Sequence, residues 1–403
     1  MINNVNNKGS DAEKFVYNIS KDILLEEYCL INPYIKNSDN KEICDLLILF
    51  NDICIIVSVK NYSFNGNLER FEKKVFEKSK NQLLGAKRKL EQIKKCIITD
   101  KNSKEKEFDV NTTTKFILIT LNFGHELESY SIIEFENDSI VHNLDKDTFE
   151  TILFEIDSVS EIIDYLTKKE ELYRKGISLN LIGKEKDLLA WFITNKREFP
   201  EKWFNHDASE VILDITGRWD FYNTNPQTVT KREANRISYF VDELVKREIV
   251  NLPQCKIIGD YLMSLNRVER RLFALTFFDH YDKNKDKDHN KSFLSRRLTI
   301  NTFHDASCLM LYYVSNLKEK ELDAFLQITG EIYLYKNLVN NKKIIMIATS
   351  KDISPIKFGY LERTKPYTKE EIDYYEDIIK KFGWFTSHKF SHIKTQEYPE
   401  KNK

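Results

Sequence analysis

The sequence predicts an α/β protein, a mixed central sheet flanked by helices and followed by a second α/β domain. Apolar runs of strand length, rich in Ile, Leu and Val, alternate with longer segments whose apolar residues recur at helical spacing. One helical segment joins two such buried runs, and a strand that returns after a crossover helix lies parallel to the one it left. The 403 residues suffice for two domains. Gly176 and Gly183 punctuate the text between them, giving a first domain over 1–175 and a second over 176–403.

The first helix is expected from Gly9 to Tyr28, with Phe15, Val16, Ile19, Ile23 and Leu24 on its inner face. Ser10 followed by Glu13 three residues later has the form of a capping box, which sets its start near Asp11. A short strand over Cys29–Ile35 follows. Next comes the stretch the chain is organised around, Glu42 to Lys60. Leu46-Leu47-Ile48-Leu49-Phe50 and Ile53-Cys54-Ile55-Ile56-Val57-Ser58-Val59-Lys60 flank an Asn51-Asp52 break, the pattern of a buried hairpin. A long helix is expected from Leu68 to Ile98 and a buried strand from Lys115 to Leu121. The acidic text from His125 onward is less regular, with a helix over Ser158–Lys169. The second half carries helices around Lys184–Asn195, Val229–Ile249, Arg267–Tyr281, Glu319–Leu338 and Lys369–Phe382. Its strands are expected at Val211–Ile215, Cys308–Val314, Lys343–Thr349 and Lys357–Leu361.

A charged fraction of 31% and a hydrophobic fraction of 41% are those of a soluble globular protein. No apolar run approaches the roughly 20 residues that span a bilayer, so no membrane partner is expected. Six scattered cysteines without a CxxC pair indicate a reducing cytoplasm, with neither structural zinc nor a disulfide framework. The net charge of −1 conceals an asymmetry. Residues 69–106 hold 13 Lys and Arg against 6 Asp and Glu, and residues 125–175 hold 5 against 14. A basic segment beside the hairpin is the electrostatic footprint a nucleic-acid binder would use.

Several chemistries are disfavoured by absent motifs. There is no GxxxxGK[ST], no GxGxxG after a strand, no HExxH and no GxSxG. His388 and His392 have ligand-like spacing but lie in a polar tail and read as surface residues. The hairpin end is the stronger candidate. Ser58 and Lys60 are two apart and share a face, about 6.6 Å apart along the strand. Antiparallel pairing brings Asp45, at the mouth of the first strand, beside both. A carboxylate to hold a divalent metal and an ammonium to face a developing anion are what metal-assisted phosphodiester hydrolysis asks of a protein.

The order helix, three strands, helix, strand, with Asp45 opening one strand and Lys60 ending the next, resembles the core of the PD-(D/E)xK (restriction-endonuclease-like) nuclease superfamily over roughly residues 10–125. The resemblance implies a Mg²⁺- or Mn²⁺-dependent endonuclease-type hydrolase acting on DNA, of a kind that serves bacterial defence or DNA processing. By position it assigns the metal to Asp45 and Glu13, and catalysis to Asp45, Ser58, Lys60 and Glu13. Phosphate contacts would come from Lys73, Lys74, Lys80, Lys87 and Arg88. The sequence departs from the family at Ser58, where an Asp or Glu is usual. Glu69, Glu72 or Glu77 on the following helix is a candidate for the missing acid, and Gln82 for a polar helical position. The alternative is a catalytically inactive nuclease-like subunit that binds or assembles. Trp191, Trp203, Trp219 and Trp384 in the second half would then serve a homo-oligomer or partner interface.

Overall fold

The computed structural model describes residues 5–36, 41–125, 132–135, 139–174, 179–200, 203, 211–286, 296–301, 306–313, 318–336, 343–351, 355–386 and 396–399. His388 and His392 lie outside these residues. The chain is mixed α/β and divides into two compact units, 1–229 and 230–403.

In the first unit, α1 (Val5–Leu24) leads into β1 (Cys29–Ile31), β2 (Tyr34–Ile35), β3 (Leu46–Phe50) and β4 (Ile53–Lys60). A helix begins as α2 (Leu68–Glu72), passes through a π turn at Lys73–Glu77 and continues as α3 (Lys78–Ile93). Then follow β5 (Lys95–Thr99), β6 (Glu105–Asp109), β7 (Lys115–Asn122), β8 (Ile132–Phe135), β9 (Ser139–Asp145), α4 (Lys146–Glu155) and α5 (Val159–Arg174). The unit closes with β10 (Leu179–Ile182), α6 (Glu185–Thr194), β11 (Val211–Asp214), α7 (Arg218–Thr224) and the start of α8 (Pro226–Asn235).

The central sheet has the order β1-β3-β4-β7-β9-β8. β3 and β4 form the expected antiparallel hairpin, and β7 returns parallel to β4 after the helix. Strands buried on both faces read as continuous apolar runs, which is why this hairpin was legible. Cys54 and Ile56 of β4 pack with Leu83, Ala86 and Leu90 of α3. The one-residue alternation of a strand puts Ser58 on that same face, and puts Asp45 there with Leu47.

Four sequence expectations are corrected. The first helix begins at Val5, so Ser10 and Glu13 lie inside it and form no capping box. Its periodicity and favourable length outweigh a local capping preference. The long helix ends at Ile93, where Lys94 takes a left-handed φ of 64°. Cys96-Ile97-Ile98-Thr99 continues the apolar text as a strand, its β-branched residues pairing with β2 and β6 in a separate three-stranded sheet. The acidic stretch after His125 contains β9, buried at every residue despite Ser139, His142, Asn143 and Asp145. Lastly, the contact partition falls at Val229, later than the glycine punctuation. Tyr165 and Lys169 of α5 reach Glu185 of α6 at 2.6 and 2.7 Å and tie the following elements to the first unit.

The second unit continues through α9 (Tyr239–Leu244), α10 (Lys256–Ser264) and α11 (Arg267–Lys285) to β12 (Arg296–Asn301) and β13 (Ala306–Tyr312). It ends with α12 (Glu319–Lys336), β14 (Lys343–Thr349), β15 (Lys357–Glu362) and α13 (Lys369–Phe382). Its sheet has the order β12-β13-β14-β15, with β13 and β14 parallel across α12. Leu309, Leu311, Ile344 and Met346 meet Phe325, Leu326 and Ile379 in its core. All six cysteines are free thiols, five of them buried. Among the described residues no helix is long and apolar enough to cross a membrane.

His142 on β9 is fully buried, and its Nε2 lies 3.1 Å from Glu170 Oε1. Burial pushes the imidazole pKa down. Burial opposes ionisation of Glu170 too, but the His142 hydrogen bond and the Lys115 ammonium at 3.0 Å outweigh it and hold that carboxyl low. The pair is therefore a neutral imidazole donating to a carboxylate. The unfolded chain takes up the His142 proton first, so stability declines as pH falls below the ordinary histidine value of about 6.5, by at most about 1.4 kcal/mol per pH unit. In chemical denaturation between pH 7 and 5, His142→Gln should show a shallower loss than wild type. Parallel curves would mean the group does not titrate on unfolding.

Candidate functional site

The site lies where the hairpin opens. Asp45 is fixed through its backbone before its side chain acts. Its N–H donates to the Val57 carbonyl at 3.2 Å and its carbonyl accepts from Asn32 N–H at 3.0 Å. Its Oδ2 then accepts the Val59 N–H across the strand. The Leu46–Val57 register thus sets the carboxylate beside the Ser58-Val59-Lys60 segment.

Lys60 Nζ donates to Ser58 Oγ at 2.7 Å and to Gln82 Oε1 at 2.6 Å. Ser58 Oγ also lies 3.4 Å from Gln82 Oε1, and the serine is 3% exposed. Ser58 therefore anchors the lysine together with a glutamine from α3. Burial lowers the Lys60 pKa, Asp45 opposes that shift, and Lys78 adds to it. An ammonium held in a partly desolvated place by two neutral oxygens is a stronger source of field than one in bulk water.

Glu13 reaches the site's edge, where its Oε2 accepts from Asn32 Nδ2 at 3.1 Å. Its charge acts on both Glu42 and Lys60. Glu42 is the residue the sequence argument passed over. It stands three residues before Asp45, bridges to Tyr34, and lines the same cleft as Asp45 and Ser58. Partial burial raises its pKa, and the adjacent Asp45 and Glu13 carboxylates add to the rise, against a hydrogen bond from Asn32. The only sequence signal was an acid closing the polar loop before an apolar run, which is commonplace. Of the other acids considered, Glu77 lines a neighbouring cleft with Lys60. Glu69 and Glu72 sit exposed on the first turns of the helix and line neither cleft.

Two clefts meet at Asn81 and Gln82. One, of about 600 Å³, carries Glu42, Asp45 and Ser58, with Lys41 and Lys89 on its walls. The other, of about 800 Å³, carries Lys60, Lys73, Lys74 and Lys78. Of the five basic residues assigned to phosphate contact, Lys73 and Lys74 join the site. Lys87 turns elsewhere, donating to Ser139 Oγ at 3.2 Å in a third cavity with Lys115 and Glu170. Lys80 and Arg88 line neither of the two clefts.

Among the described residues no three acidic, imidazole or thiol side chains converge into a ready-made metal cage. A hard divalent cation such as Mg²⁺ takes only one or two carboxylates, with water and substrate oxygens completing its shell. The donors at Asp45 and Glu42 are of that kind and number. No protein-family model, no curated protein and no solved structure matches the chain significantly.

An acid whose pKa is raised on folding weakens the fold once pH exceeds its unfolded value, and the weakening is complete above its folded value. Glu42→Gln should therefore raise the melting temperature at pH 7 by about 1–2 °C, a small figure because its solvent-exposed side is screened. The gain should vanish near pH 4, where the wild-type carboxyl is protonated in both states. A variant less stable than wild type at pH 7 would show that Glu42 makes contacts worth more than its charge costs.

Proposed function

We propose that the first unit is a metal-dependent nuclease domain with a restriction-endonuclease-like core, and that it hydrolyses phosphodiester bonds in DNA. The observation that carries this reading is the meeting, at Gln82, of a carboxylate-bearing cleft and a lysine-bearing one, with Asp45, Ser58 and Lys60 at the junction. The order of α1, β1, β3, β4, the α2–α3 helix and β7, with β7 parallel to β4, supports it.

Asp45 and Glu42 would hold a Mg²⁺ or Mn²⁺ ion, with Glu13 at the edge tuning the local charge. When bound, the ion supplies a polarised phosphoryl oxygen and an acidified water. Lys60 faces the charge that develops on the phosphoryl group, and Ser58 with Gln82 keeps its ammonium aimed. Lys73 and Lys74 hold the flanking phosphates, a contact that is blind to sequence and weakened by salt. Ser58 cannot share the cation's charge as a carboxylate would. Glu42, from the strand mouth, takes that part.

The test pairs calorimetry with cleavage. Mn²⁺ titrations should show binding in wild type, at least tenfold weaker binding in Glu42→Gln, and none in Asp45→Ala. In assays on plasmid, linear and single-stranded DNA, Asp45→Ala and Lys60→Ala should each lose on the order of 10²–10³-fold in rate. Wild-type protein that leaves all three substrates intact with either ion sinks the catalytic reading. The buried, fully engaged Ser58 favours a silent binding subunit as the reading that would replace it.

A further inference from the structure

The lysine-lined cleft has a feature that phosphodiester chemistry does not use, the Tyr62 ring in its wall, which is joined through Phe71 to the exposed ring of Phe64 beyond the lining. Beyond Lys60 the chain runs through Asn61, Tyr62, Ser63 and Phe64 before α2 begins. This segment is pressed onto the end of β7. A Cβ at Gly124 would stand 2.2 Å from the Tyr62 carbonyl carbon, so only glycine permits the approach. Tyr62 lines the cleft, with Lys74 Nζ 5.4 Å from its ring centroid. Its ring lies 6.2 Å from that of buried Phe71, which holds Phe64 edge-on at 5.7 Å. Phe64 also lies 5.3 Å from the His125 ring, and it stays 40% exposed. A large ring held by Phe71 and His125 and still 40% exposed is a surface on which a base can lie.

The rest of the charged lining is mostly cationic. Lys60, Lys73, Lys74 and Lys78 line the cleft against a single acid, Glu77. The π turn at Lys73–Glu77 places part of that lining, and π turns inside helices recur at functional sites. A charged track beside aromatic faces is the arrangement that binds single strands, whose phosphates follow the track and whose unstacked bases lie on the rings. A duplex keeps its bases stacked on one another and offers such a site only its phosphates.

Resting on the nuclease reading and deepening it, we propose that this cleft takes a single-stranded polynucleotide, with phosphates on Lys73, Lys74 and Lys78, one base against Tyr62 and the next, where the strand leaves the cleft, against Phe64. Lys60 then marks where the strand passes from the recognition cleft into the carboxylate-bearing one.

The experiment is fluorescence polarisation in EDTA, which removes the metal step and leaves binding alone. The probes are labelled oligo-dT, oligo-rU and a duplex, each of about 12 nucleotides or base pairs, within the span such grooves cover. A single strand should bind about tenfold tighter than the duplex, and the better of the two strands names the sugar. Phe64→Ala should weaken strand binding on the order of tenfold and leave duplex binding unmoved. Phe64→Leu, which keeps the apolar contact with Phe71 and removes the stacking face, should behave alike, separating loss of stacking from loss of fold. Replacing Lys73 and Lys74 together by Ala should flatten the strand's salt dependence by about 1.4 in slope. Duplex binding as tight as strand binding, or strand affinity untouched in both Phe64 variants, overturns the proposal. Duplex cleavage without strand preference would leave the nuclease reading standing and this one fallen. Strand preference in a protein that never cleaves would do the reverse.

Discussion

The register of the β3–β4 hairpin is the constraint on which the candidate site depends. Leu46 faces Val57, and from that pairing Asp45 meets Val59 and Ser58 takes its place on the α3 face. A slip of one residue would turn Asp45, Ser58 and Lys60 to the opposite face and bury their charges among aliphatic side chains. Both faces of the hairpin are covered, so the register is specified twice. Leu47, Cys54 and Ile56 pack beneath α3, while Leu46, Ile48, Ile55 and Val57 are buried on the other side. The polar groups at the open end are thus carried by a hairpin buried on both faces.

Around that end, charge is unevenly divided: the acids Glu42 and Asp45 share their cleft with Lys41 and Lys89, whereas four lysines share the other with Glu77 alone. Carboxylates from the β3 approach and α1 gather on one side of Gln82, and lysines from the π turn and α3 on the other. Lys60 sits at the divide, bonded to neutral oxygens while feeling Asp45 on one side and Lys78 on the other. Burial is the main reason that the Glu42 pKa is raised and the Lys60 pKa lowered, and the neighbouring Asp45 and Lys78 charges add to the two shifts. Such a division makes sense where a cation and a polyanion are to be taken up side by side.

The other basic residues show how position in the fold outweighs composition. Residues 69–106 carry a clear excess of Lys and Arg, yet α3 turns Lys87 toward Ser139 and Phe116, away from Lys73 and Lys74. The tryptophans tell a similar story. Trp203 and Trp384 are buried, and Trp191 packs on Trp203 at 5.0 Å, so they are spent on cores.

The hairpin, the parallel return of β7 and the longer helices were legible in the sequence, because a strand buried on two faces and a helix buried on one leave clear periodicities, whereas the short α4 and α10 were not, and α7 reads as a loop. Asp45 and Lys60 were legible for the same reason, as charges interrupting runs that otherwise stay apolar. β9 was not, because its Ser139, His142, Asn143 and Asp145 are buried by partners distant in sequence, Glu170 and Lys87 among them. Nor was the end of the long helix at Ile93, where pairing with β2 and β6 overrode a continuing apolar pattern. Glu42 and the aromatic rings of Tyr62 and Phe64 belong to the tertiary structure alone. The sequence by itself determined the long, doubly buried strands and the amphipathic helices, and which charges stand at the hairpin's end. Only the folded chain decided which of those charges share a cleft, since proximity across Asn32, Glu42, Asp45 and Gln82 is a property of packing and leaves no local mark in the text.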